Sequence, residues 1–227
     1  MRYQACILSA AAVGTALCVY SQTAANPAVT KGAPAAVEAQ PLAPRASPAD
    51  YPAHAQAGAV TVAAEFSGHF VPTPEATYST EDYVAVEVGL FGEPGTRLTL
   101  SPGDFSLRVN GKKMPSPAQP FGLVMLSLKD PEWAPPTPPP SKKTSLNTGG
   151  GGGGQGDNLP PPPPHMPPEL QHAMAVRAQK ATLAEGDRPL PQAGLLFFPY
   201  RGQTKAIRSL ELLYKGPAGQ ATLPLHP

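Results

Sequence analysis

From residue 60 onward, apolar and polar positions alternate in short runs, and these runs predict strands. Val60–Phe66 (VTVAAEF) opens the series. Tyr83–Phe91 (YVAVEVGLF) sets Val84, Val86 and Val88 on one face and Ala85, Glu87 and Gly89 on the other. Arg97–Leu100 is a short third run. In the next, Phe105, Leu107 and Val109 alternate with Ser106 and Arg108, and Asn110-Gly111 follows at once. Both residues of that pair tolerate positive φ, so the pattern predicts a tight hairpin with Lys112–Met114 as its return strand. Phe121–Leu128 (FGLVMLSL) is expected to continue the series. Ala193–Tyr200, Ala206–Tyr214 and Gln220–Leu225 complete it, with Gly216-Pro217 and Gly219 marking the last turn. Imperfect alternation of Ile207, Leu210, Leu212 and Tyr214 predicts a bulge near Ser209.

One stretch carries a helical period instead. Pro168 and Glu169 make a favourable first turn, Leu170, Ala173 and Met174 share a face, and Gly186 lies beyond the end. The apolar stripe is thin, which predicts a helix lying on the surface of a sheet. Short strands at this spacing, with one helix and no βαβ rhythm, predict a mainly β protein, an antiparallel β-sandwich.

Composition divides this pattern into domain and spacer. The chain has 32 Pro and 22 Gly in 227 residues, a level that signals low-complexity sequence. Residues 26–57 are rich in Ala and Pro with almost no large apolar side chains, and read as a disordered or extended tether. Residues 134–168 form a second tract, with a flexible Gly149–Gly154 run and a stiff polyproline rod at Pro160–Pro164. A solvent-exposed insert between two halves of one domain is favoured here over a ligand for a recognition domain, because loop closure entropy grows only logarithmically with length. The expected domain is therefore 58–227, interrupted at 134–168.

The N-terminus bears on compartment. Arg2 precedes an apolar run, Ala5–Tyr20, that is shorter than the roughly 20 residues a spanning helix needs. Small residues at Thr23, Ala24 and Ala25 predict a signal peptide over 1–25, cleaved near Ala25–Asn26, with an uncleaved anchor as the lesser alternative. Leu17 stands where a lipobox needs a small residue, so Cys18 is not read as lipidated. Both cysteines, Cys6 and Cys18, fall in this segment, and the mature chain has no disulfide, no thiolate nucleophile and no Cys-based metal site. Losing Arg2 alone leaves it neutral, which argues against nucleic acid and anionic membrane surfaces as partners. The expected location is periplasmic or extracellular without a membrane span in the mature chain, and the expected partner is another envelope protein.

The segment Tyr83–Lys113 together with Gly194–Leu225 resembles exported bacterial immunoglobulin-like accessory domains of unknown function. Leu100-Ser101-Pro102-Gly103-Asp104-Phe105-Ser106-Leu107, turning at Asn110-Gly111, is similar to their Leu-Ser-Pro-x-Asp-Phe-x-Leu segment. Gly194-Leu195-Leu196-Phe197-Phe198 matches a late Gly-x-x-x-Phe strand. The resemblance covers about half the chain and implies a fold, an immunoglobulin-like sandwich, with little about function.

Candidate chemistry is sparse. His54, His69, His165, His172 and His226 show no ligand spacing to a carboxylate or to each other. His165, Met166 and His172 form a soft Cu/Zn candidate, weighed against exposed spacer residues. No Gly-x-Ser-x-Gly elbow places a serine beside His69 or His172, and the carboxylate pairs Glu81-Asp82 and Asp130 with Glu132 read as solvated surface. Gly149–Gly154 lacks the Gly-Lys-Ser/Thr ending of a phosphate loop. Trp133, the only tryptophan, reads as a core cap before a sugar or partner platform with Tyr200 or Tyr78 nearby. No catalytic, cofactor or metal set is assigned. The expectation is a non-enzymatic binding or structural module of the cell envelope. A small-ligand binder, taking carbohydrate at Trp133 or Cu/Zn at the His/Met set, is the alternative.

Overall fold

The computed structural model describes residues 39–135 and 165–227; the expected signal peptide over 1–25, residues 26–38 of the expected tether and most of the Pro/Gly insert lie outside the described residues. The chain is mainly β, in several antiparallel sheets with two short helices. Its strands are β1 (Ala53–Ala57), β2 (Val60–Gly68), β3 (Phe70–Pro72), β4 (Thr77–Thr80), β5 (Tyr83–Phe91), β6 (Arg97–Leu100), β7 (Phe105–Val109) and β8 (Ser116–Pro117). Helix α1 (Phe121–Val124), β9 (Leu128–Lys129) and α2 (Pro168–Ala181) follow, then β10 (Gly186–Pro189), β11 (Gln192–Pro199), β12 (Leu210–Gly216) and β13 (Gly219–Leu225).

Alternation in β5 turns Val84, Val86, Val88 and Leu90 inward, and all four are fully buried. They belong to a central sheet of order β1-β2-β5-β11. A second four-stranded sheet, β13-β12-β7-β8, faces it with Phe105, Leu107, Leu212 and Leu223, and both sheets feed one apolar cluster. Each fully buried Leu, Val or Phe contributes about 1.5–3 kcal/mol relative to exposure, so this cluster is the main source of stability. The remaining strands form a β3-β4-β9 sheet and a β10-β6 ribbon.

The run Leu195-Leu196-Phe197-Phe198 in β11 does not alternate because both faces of this strand are covered. Leu196 and Phe198 join the inter-sheet cluster, whereas Leu195 and Phe197 meet Met174, Ala178 and Ala181 of α2. Beyond α2 the chain runs beside β11, with Leu183 N donating to the Leu195 carbonyl at 3.1 Å. At Gly194 a Cβ would stand 2.3 Å from Leu183 Cα, so only glycine admits this passage. Gln119 N donates to the Phe197 carbonyl at 2.8 Å, and the outer edge of β11 is thereby closed to strand addition.

Four expectations are corrected. First, the tether does not extend to residue 57, since β1 is a strand and Tyr51 is buried. Ala53, Ala55 and Ala57 alternate with exposed His54 and Gln56, and alanine suffices where β1 packs close to the β12–β13 turn. Second, Phe121–Leu128 is a helical turn ending in a two-residue strand. Pro120 precedes it, and Phe121, Val124 and Leu128 point inward at i, i+3 and i+7, the helical period. Third, Asn110 and Gly111 have the positive φ values of 52° and 66° that the hairpin required, but the return strand is Ser116–Pro117. Asn110 serves another strand: its Oδ1 accepts from Arg208 N at 2.7 Å and its Nδ2 donates to the Ala206 carbonyl at 3.1 Å. Fourth, this clamp holds residues 206–209 off the ladder, so β12 begins at Leu210 without a bulge at Ser209.

The face of the central sheet turned away from the second sheet is covered by α2 at one end and by residues 40–51 at the other. Register places Glu65 of β2 opposite Glu87 of β5. Arg45 bridges the two, bonding Glu65 and reaching Glu87 at 3.3 Å, while its Nη1 donates to the Asp50 carbonyl at 2.7 Å. Its guanidinium also lies 4.3 Å from the centre of the Tyr51 ring, which rests on Gly89.

Candidate functional site

A groove of about 870 Å³ opens between the 125–133 segment and the start of α2. Its first wall carries Met125, Leu126 and Trp133, and is fixed from beneath. Ser127 Oγ lies 2.7 Å from the hydroxyl of buried Thr80, Leu128 pairs with Thr80 in the ladder, and Lys129 Nζ meets Glu81 Oε1 at 2.6 Å. Asp130 Oδ1 accepts from Glu132 N at 2.9 Å, and Trp133 N donates to the Asp130 carbonyl at 3.2 Å. These two bonds set the turn that presents the indole.

The second wall is α2 and the residues leading into it. Pro168, Gln171, His172 and Ala175 lie at i, i+3, i+4 and i+7, one face of the helix, and all line the groove. Met174, Ala178 and Ala181 form the adjacent stripe that anchors the helix on the central sheet. Gln171 Nε2 donates to the Met166 carbonyl at 2.9 Å, which fastens His165 and Met166 against the first turn. At the rim Leu126 is 81 % exposed.

The groove unites two candidates that the sequence keeps apart, Trp133 on one wall and His165, Met166 and His172 on the other. Trp133 is half-buried and belongs to neither apolar cluster, which corrects its reading as a core cap. Neither tyrosine expected near it is there: Tyr78 is buried under α2, and Tyr200 stacks on His69. His69 Nδ1 faces the carbonyls of Thr80 and Tyr83 at 2.9 and 2.8 Å, and Nε2 faces that of Gly202 at 2.8 Å, so both ring nitrogens are engaged. His54 lies exposed on β1. The paired acids are tied to surface cations, Glu81 to Lys129 and Asp82 to Arg201 at 2.8 Å. Among the described residues, no three His, Cys, Asp or Glu side chains converge closely enough to hold a metal ion. No helix among them is long and apolar enough to cross a membrane.

The Arg45–Glu65–Glu87–Tyr51 cluster escaped sequence reading, because only strand register brings its members together. Burial, with the charge of Glu87 added, pushes the Tyr51 phenol up to about 12. Its components are mutually satisfied, which marks it as structural. No protein-family model, curated protein or solved structure matches this chain.

Proposed function

We propose that this chain is an exported, non-catalytic binding module of the cell envelope whose ligand surface is the Trp133 groove. The observation that carries the reading is the groove itself: a concave, mostly apolar surface with an indole, thioethers and a few polar groups, the composition of a binding site. The apolar cluster shared by two four-stranded sheets supports an immunoglobulin-like sandwich as scaffold. Residues 1–25 direct export, and the following stretch to residue 38 spaces the domain from its exit site. Closure of the β11 edge removes one site at which a partner could add a strand. The test is a photocrosslinking residue placed at Leu126 and, as control, at exposed Lys205, in envelope extracts. A partner captured from 126 and not from 205 is expected; equal capture, or none, overturns the reading.

The half-buried indole favours a second reading, a carbohydrate platform. Trp133 emission that stays constant across a panel of oligosaccharides removes it.

A further inference from the structure

We infer that the Trp133 groove binds a soft monovalent metal ion, Cu(I), through the thioether of Met166 and the imidazoles of His172 and His165. The inference rests on reading the groove as the ligand surface. Of the 5 methionines, Met125, Met166 and Met174 line this groove, Met114 stands exposed elsewhere and Met1 lies outside the described residues. Of the 5 histidines, His165 and His172 line it. Three of the four described methionines and two of the five histidines thus line one groove.

Donor chemistry selects the metal. Neutral thioether sulfur prefers Cu(I), whereas Zn(II) takes four nitrogen, thiolate or carboxylate ligands. The set of one thioether and two imidazoles is softer than Zn(II) prefers and suited to Cu(I). After Cys6 and Cys18 the sequence contains no further cysteine, and thioether is the only soft donor the domain can offer. The sites of attachment are held in advance. Met174 is buried against the central sheet, Met166 packs on the same cluster, and the Gln171–Met166 bond fixes the backbone between the two histidines. Asp130 also lines the groove as an acidic group, and Lys129, which lines it too, is paired with Glu81. Trp133, the only tryptophan, lines the same groove and serves as a reporter.

The experiment uses the full chain carrying Cys6→Ser and Cys18→Ser, so that no thiol competes. It is titrated anaerobically with Cu(I) held by a chromophoric chelator, with Trp133 emission followed in parallel. One equivalent withdrawn from the chelator with simultaneous quenching is expected, with no response to Zn(II). Met166→Leu conserves volume and His172→Asn conserves polarity, so both variants keep the fold, checked by circular dichroism. Each is expected to weaken binding about tenfold or more. Absence of withdrawal, or binding that neither substitution alters, overturns the inference. If Cu(I) fails while the crosslink from Leu126 persists, the metal inference alone falls; if both fail, the groove as ligand surface falls with it.

Discussion

Replacing Arg45 with Met tests whether residues 40–51 belong to the domain. Met keeps the apolar stem and deletes the guanidinium, leaving Glu65 and Glu87 facing each other across β2 and β5 without a cation. Exposed ion pairs contribute about 0.2–1 kcal/mol, whereas orphaning one partner of a fully buried pair costs about 3–5 kcal/mol. The side chains here are 32 % exposed for Arg45, 39 % for Glu65 and 12 % for Glu87, between those limits. A cost of about 2 kcal/mol follows, to which the lost contact with the Tyr51 ring contributes. In a domain of this size that lowers Tm by about 4–8 °C. The assay is thermal unfolding of R45M, E87Q and the double variant. Removing the Glu87 charge relieves the orphaned acid, so the double variant is expected to melt above the sum of the two single losses. If R45M melts within about one degree of the parent, or the two losses add, the cluster does not hold the segment and the reasoning fails.

Tyr51 gives a pH signature for the same cluster. Its phenol is held neutral in the fold up to about 12 against 10.0 unfolded, so its contribution is complete below 10 and is lost as pH rises through 12. A Y51F variant is expected to flatten that alkaline limb in melts recorded from neutral pH upward. At Asp104, burial raises the carboxyl above its usual range, so ionisation works against folding and stability falls as pH rises through the folded value. D104N is expected to melt higher than the parent at neutral pH and to converge with it in acid. Gly194→Ala drives a methyl into the Leu183 backbone and is expected to cost about 1–3 kcal/mol or more, read as lowered Tm; an unchanged Tm contradicts the close passage beside β11.

How much could be read in advance depended on how loudly each element announced its period. β5, β6 and β7 were legible to the residue because large apolar side chains alternate there with polar or small ones. β1 alternates as strictly but with alanine, and a reading that weights size passes it over. Phe121–Leu128 is apolar but for Ser127, so neither period stands out until its contacts choose the helical one. β3, β4 and β10 are short, and all four residues of β10 are exposed, leaving no pattern to find. For the site, the residue types were legible and their meeting was not. Trp133 and His165 stand at the two ends of the insert, and only the docking of α2 on the central sheet brings them to one groove.

The pairing of β5 with β11 also sets when this domain can form. Val86 lies opposite Leu196 and Val84 opposite Phe198, so one side of β5 stays unpaired until nearly the whole polypeptide is made. A topology with so many distant pairings folds slowly, because chain ends must be brought together before any contact rewards it. A ribosome-bound chain ending before β11 exposes one side of β5 and cannot close the core. Until the last strands arrive, valine-rich β5 presents an unpaired apolar edge, the kind of surface that makes a partly made chain prone to association.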